Sequence, residues 1–275
     1  CRTDLKKIGL VPTGDPGAEV WNSYNWIRLY DVRQARPKRK ATEKQLEALS
    51  KGRKKLEELL TCKSCGYRYF FVHNLVDGIC LDCHKEEEER KYWDQVHEAA
   101  KQVFLSWLEE DFVILDTETT GLYQAEIVEI AVVDRHGNAL FDSLIKPTVS
   151  IPEDAILIHG ITNESVKDAP SWCDVWPTVR EILYGKKVLI YNADFDVDVL
   201  SNSCAVHGIS FSPPDVECVM KTYADYIRSD RWLKLSDASG HWVNHRALDD
   251  CRAVLSLLQQ VFEEIGQSNW EEVNK

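Results

Sequence analysis

Two carboxylates two residues apart, Asp116 and Glu118, close the apolar run Phe112-Val113-Ile114-Leu115. On a β-strand both would point to the same face. Adjacent acids repel each other unless a cation lies between them, and no Lys or Arg is near them in sequence. The partner that suits them is a divalent metal held by hard oxygen ligands. Taken alone, the pair reads equally well as an exposed strand end. Two further acidic clusters follow. Tyr191-Asn192-Ala193-Asp194-Phe195-Asp196 comes directly after the apolar run Val188-Leu189-Ile190, and His245-Arg246-Ala247-Leu248-Asp249-Asp250 opens a long amphipathic segment. On a helix, His245 and Asp250 would sit on loosely neighbouring sides of its first turn. A different chemistry is offered by Cys62-x-x-Cys65 and, after fourteen residues, Cys80-x-x-Cys83, the spacing of a four-thiolate zinc site.

The elements that must hold these residues follow from periodicity. Residues 112–116, 126–133 and 139–145 read as strands, the last two joined by the turn Arg135-His136-Gly137-Asn138. Residues 172–183 read as a helix, 187–191 as a buried strand, 196–206 as a helix and 246–265 as a terminal helix with Leu248, Val254, Leu257, Leu258 and Val261 on one side. The alternation predicts an α/β domain with a mixed sheet over residues 111–275. Residues 1–40 read as an irregular arm carrying Trp21, Tyr24, Trp26 and Tyr30 and ending in the basic run Arg36-Pro37-Lys38-Arg39-Lys40. Thr42 and Gln45 form a capping box for a helix to about Leu60. Residues 1–60 are thus a basic arm and helix, 61–84 a cysteine module, and 85–110 a charged connecting helix that bridges the modules or packs on one of them.

The ordered set Asp116–Leu122 (DTETTGL), Tyr191–Asp196 (YNADFD) and His245–Asp250 (HRALDD) resembles the DEDDh branch of the DnaQ-like 3′-5′ exonuclease superfamily. The likeness is to the proofreading subunit of bacterial DNA polymerase III and its stand-alone relatives. The resemblance implies an RNase H-like mixed sheet flanked by helices. It implies that Asp116, Glu118, Asp196 and Asp250 bind two Mg²⁺ or Mn²⁺ ions and that His245 is the general base. It also implies that Thr119, Thr120, Gly121 and Leu122, His159 and Ile161, and Asn192 and Phe195 contact the substrate. Asp194 and Asp249 are left as supporting or surface acids. Two departures are visible: Tyr191 stands where relatives often carry His, and the stretch from Leu235 to His245 is short. The chemistry agrees. Phosphodiester hydrolysis needs charge neutralisation, an activated water and a stabilised leaving oxygen, which a two-metal carboxylate site supplies, with a His of near-neutral pKa to take the proton.

Within the cysteine module, Gly66–Val72 reads as a strand of a zinc-ribbon-like hairpin closed by one structural Zn²⁺. A pair of disulfides is the alternative. Such a metal folds a piece too small for its own core. Arg68, Tyr69 and Phe70 could also offer charge and stacking to single-stranded nucleic acid, with a protein partner equally open.

The 275-residue chain carries a net charge of -12, which argues superficially against nucleic acid. The distribution is uneven: residues 1–60 hold 14 Lys/Arg against 8 Asp/Glu, and the rest 19 against 37. A basic arm on an acidic body is the reading. Ordinary solvated charge is the plainer one. No apolar run reaches membrane-span length and no signal-peptide pattern is present, although a chain starting at Cys1 is expected to lack upstream residues. Nine cysteines, five of them (Cys1, Cys173, Cys204, Cys218, Cys251) without framework spacing, suit a reducing cytoplasm. These features predict a metal-dependent 3′-5′ exonuclease acting on single-stranded or frayed 3′ ends, DNA before RNA. An adaptor that uses the same fold only as a scaffold is the alternative from another class.

Overall fold

The computed structural model describes residues 1–240 and 244–273. The chain divides into two compact units, Cys1–Glu86 and Glu87–Lys275.

In the first unit, residues read as an irregular arm contain a short helix α1 (Arg2–Lys7) and two small ribbons. β1 (Leu10–Val11) pairs with β4 (Arg36–Pro37), and β2 (Ala18–Trp21) with β3 (Trp26–Leu29). Trp21 and Trp26 face each other across the second ribbon, ring centroids 5.6 Å apart. Helix α2 (Glu43–Leu60) starts at the expected box: the Gln45 N–H donates to Thr42 Oγ1 at 3.3 Å, and the Thr42 N–H to Gln45 Oε1 at 3.0 Å. Of its five leucines on the apolar side, Leu46, Leu49, Leu56 and Leu59 are exposed and Leu60 is buried.

The cysteine module corrects one expectation. Gly66–Val72 forms no strand; Arg68 makes a single bridge to Thr61, and the ladder lies further on, between β5 (Leu75–Val76) and β6 (Ile79–Cys80). Asp77 and Gly78, both at positive φ, make the two-residue turn between them. Helix α3 (Leu81–Glu109) then runs on past the boundary between the units.

The second unit is built on a five-stranded sheet: β7 (Phe112–Thr119), β8 (Ile127–Asp134), β9 (Ala139–Leu144), β10 (Lys187–Ile190) and β11 (Asp215–Cys218), in the order β11-β10-β7-β8-β9. β11, β10 and β7 are parallel, and β8 and β9 antiparallel to their neighbours. Phe112–Leu115 and Ile127–Val133 are buried on both faces, which is why they read as near-continuous apolar runs. Phe112 and Ile114 pack with Phe104 and Trp107 of α3 and with Cys251, Val254 and Leu258 of the last helix, α9 (Ala247–Val273). Val113 and Leu115 face the opposite core, formed with α5 (Trp172–Leu183) and α6 (Ala193–Val206). Helices α4 (Glu153–His159), α7 (Val219–Tyr226) and α8 (Leu235–Ser239) complete the unit; α4, α7 and β11 were not expected from the sequence. Among the described residues no helix is long and apolar enough to cross a membrane.

Candidate active site

Strand β7 places Asp116 and Glu118 on the face covered by α9, as the two-residue period requires. The ladder to β8 shifts register between Glu118 and Thr119, so the strand bends directly after the second carboxylate. Asp196 arrives from the other layer, in the first turn of α6, and Asp250 from the first turn of α9. Both helix N-termini favour negative charge there. Glu118, His245 and Asp250 bring ligand atoms within 4.8 Å of one another. His245 departs from expectation in one respect: it lies outside the helix, in a left-handed conformation (φ 51°) two residues ahead of it, and is exposed. Residues 241–243, in the short stretch noted above, lie outside the described residues.

The four carboxylates repel one another in a buried setting. Burial, with Asp196, Asp250 and Glu118 nearby, raises Asp116 well above the usual carboxylate range. Burial followed by the Asp250 and Glu129 charges pushes Glu118 up to about 8. Burial lifts Asp196 to about 7 even though Thr117 Oγ1 donates to its Oδ1 at 2.7 Å. Asp250 is also lifted to about 7, by burial and by Asp249. Its Oδ1 is buried with no hydrogen-bond partner among the described residues. An orphaned carboxylate oxygen beside three other acids and an imidazole is the donor set a hard divalent cation fits.

Glu129, which sequence reasoning missed, holds this arrangement. It is 3 % exposed, lies opposite Glu118 in the β7–β8 ladder, and accepts from Arg246 Nε at 3.0 Å and from the Ala247 N–H at 3.0 Å. The available signal was a lone acid inside the apolar run Ile127–Val133. Asp194 and Asp249 are exposed and ion-paired, with Lys221 at 2.6 Å and Arg252 at 4.0 Å. Tyr191, at the variant position, donates its hydroxyl to the Leu233 carbonyl at 2.8 Å.

The expected substrate residues differ in exposure, Gly121 being half-buried. Leu122 and Asn192 are exposed. Thr119, Thr120, His159 and Ile161 are buried, and Phe195 is half-buried against the α5–α6 core. The Ile161 N–H donates to His159 Nδ1 at 3.0 Å, so Nε2 carries the proton and donates to the Thr119 carbonyl at 3.2 Å. His159 thereby ties the end of β7 to the end of α4.

In the first unit, Cys62, Cys65, Cys80 and Cys83 bring their sulfurs within 4.8 Å of one another. The Cys80 N–H donates to Cys62 Sγ at 3.3 Å, and the Cys65 and Cys80 amides hold the Cys62 thiol down at about 6. All four are free thiols, so the disulfide alternative is not adopted.

The mixed five-stranded sheet in this order, flanked by helices, has the RNase H-like exonuclease fold. Residues 113–258 match the family model of the exonuclease family RNase_T, and the chain belongs to that family. It is 38 % identical over 171 residues to the uncharacterized exonuclease CP81 of Escherichia phage 186, covering 55 % of this chain and 88 % of that one. It is 34 % identical over 117 residues to the DNA polymerase III subunit epsilon-like protein of Rhodobacter capsulatus, covering 40 % of this chain but only 17 % of that longer protein. Among solved structures, exonuclease X in complex with 5′ overhanging duplex DNA superposes with a TM-score of 0.45 at 31 % identity, over 56 % of this chain and 93 % of the other.

Proposed function

We propose that the chain is a 3′-5′ exonuclease that uses two Mg²⁺ or Mn²⁺ ions to release nucleoside 5′-monophosphates from single-stranded or frayed 3′ ends. The observation that carries this reading is the buried Asp250, whose Oδ1 has no hydrogen-bond partner among the described residues and whose carboxylate lies within reach of Glu118 and His245. Asp116, Glu118, Asp196 and Asp250 would hold the metal. When bound there, such ions would supply charge neutralisation at the phosphate, a lowered pKa for water and stabilisation of the leaving 3′-oxygen.

The chain's own residues do the rest. His245, exposed at the rim, takes the proton of the attacking water. Glu129 and Arg246 fix the loop that carries it. Thr117 orients Asp196 from beneath the strand. The backbone from Thr119 through Gly121, braced by His159, holds the terminal nucleotide, with Leu122 against its base. Asn192 and Phe195 line the Asp196 side. DNA is the first substrate because relatives of this chain are named as DNA polymerase III epsilon subunits. Cys62, Cys65, Cys80 and Cys83 bind one structural Zn²⁺, which needs reduced thiols and hence a reducing compartment such as the cytoplasm.

The test is a side-by-side assay on 5′-labelled single-stranded DNA, duplex DNA and RNA. A ladder shortening from the 3′ end, dependent on Mg²⁺ or Mn²⁺ and lost in Asp116→Ala, is expected. Degradation that survives Asp116→Ala would place the chemistry elsewhere.

A further inference from the structure

The cysteine hairpin displays aromatic surface that its own fold does not use. Phe70 is 91 % exposed, and Tyr67 and Phe71 are each 62 % exposed. The Phe71 ring stacks on His73, centroids 5.3 Å apart and planes within 16°, and Tyr67 sets its edge against Tyr69 at 4.9 Å. Two ring pairs therefore form beside Phe70, and Tyr67, Phe70 and Phe71 all leave ring surface open to solvent. Burying such rings is normally worth far more than leaving them in water, so three exposed aromatics within the five residues 67–71 mark a contact surface.

The charge of this segment narrows the occupant. From Cys62 to Val76 the chain carries Lys63, Arg68 and His73 and no Asp or Glu. Arg68 meets Glu57 at 3.6 Å yet stays 60 % exposed. The whole first unit, Cys1–Glu86, holds 17 Lys/Arg against 11 Asp/Glu, whereas residues 87–275 hold 16 against 34. A polyanion is repelled by the second unit as a whole and attracted by the first. Open π faces interleaved with cations suit a ligand made of flat rings on a phosphate backbone, because every base has a face to stack and every linkage a charge to match.

We infer that the four-cysteine hairpin is a sequence-tolerant binding site for single-stranded nucleic acid, with Phe70 and Phe71 stacking bases and Arg68 and Lys63 meeting phosphates. The metal's role is to hold an aromatic tip that has almost no core beneath it. This inference rests on the nuclease reading only for its biological sense, and the test keeps the two apart.

The measurement is fluorescence anisotropy of 5′-labelled dT16 and rU16 with the full, zinc-loaded chain made catalytically silent by Asp116→Ala. Adding Phe70→Ala and Phe71→Ala together should weaken binding of both strands roughly ten- to a hundredfold, with zinc still at one per chain; Phe70→Trp should restore part of it. In the active background the same double substitution should slow degradation of the 16-mers and leave hydrolysis of a dinucleotide unchanged. Binding that is indifferent to both phenylalanines overturns the proposal and assigns the aromatic tip to a protein contact. An active-background chain that degrades no oligonucleotide at all would sink the exonuclease reading while leaving the anisotropy result standing.

Discussion

Glu129, in the middle of the second strand, grips the Arg246 guanidinium and the Ala247 amide, so one buried carboxylate joins the sheet to the start of the last helix. His245 precedes this anchor by one residue and Asp250 follows it by a helical turn. Both are therefore placed by a buried residue that is not one of the four proposed metal ligands. Glu129→Gln keeps the size of the side chain and loses its charge. It should lower stability by about 1–3 kcal/mol, discounted because Arg246 is half exposed. It should also lower kcat by about a hundredfold through misplacement of His245 and Asp250. Thermal melts and steady-state kinetics on a labelled oligonucleotide check both.

The crowded carboxylates make the metal-free protein less stable than its core would allow. Asp116→Asn removes one charge from the cluster and should raise the melting temperature without metal by a few degrees. Added Mg²⁺ should stabilise the parent by about 2–3 kcal/mol at a hundred times its dissociation constant and leave the variant nearly unmoved. A melt series in chelator and in increasing Mg²⁺ decides. Equal metal-induced shifts in the two proteins would contradict the ligand assignment.

His245 can be removed without disturbing the fold, because it is exposed and sits outside the helix. Its left-handed backbone makes Asn the replacement of choice, since Asn tolerates that conformation. His245→Asn should keep the unfolding free energy within about 0.5 kcal/mol of the parent and lower kcat by about 10²–10⁴-fold.

The zinc assignment predicts a stoichiometry and a protection pattern. Purified chain should carry one zinc, and Cys65, although exposed, should resist a thiol-modifying reagent until a chelator is added. Exposed Cys173 should react at once with or without chelator. Cys80→Ser should abolish zinc binding and weaken the first unit while the exonuclease unit keeps its own unfolding transition. Metal analysis and mass-resolved labelling read these outcomes.

How much of this was legible in the chain depended on whether a residue's environment left a trace in its neighbours. β7 and β8 were plain because strands buried on both faces must be apolar throughout. α5 was plain because an amphipathic run follows Ser171, which with Asp174 forms a capping box. β11 left no such trace: Asp215-Val216-Glu217-Cys218 is an edge strand with two acids facing Lys187. α4 has only seven residues, too few to show a period. In the cysteine module an apparent strand pattern, Tyr67 to Val72, competes with the backbone demands of the cysteine loop. There the Gly66 amide turns back to the Cys62 carbonyl and the Cys62 amide to the Tyr67 carbonyl, leaving no ladder to join. The candidate metal ligands could be named in advance because they fall in motifs. Glu129 could not, because its partners lie more than a hundred positions away and only the folded sheet reveals them.

Thr117 is the one residue of the Asp116–Glu118 triplet that faces the other way, and through its hydroxyl the site reaches across the sheet to Asp196. The two packed layers of the domain therefore report to a single point. Loosening Leu258 in one core or Leu200 in the other should disturb a carboxylate on the same helix, Asp250 or Asp196, and lower turnover. The active site is in this sense a gauge of the packing on both sides of the sheet.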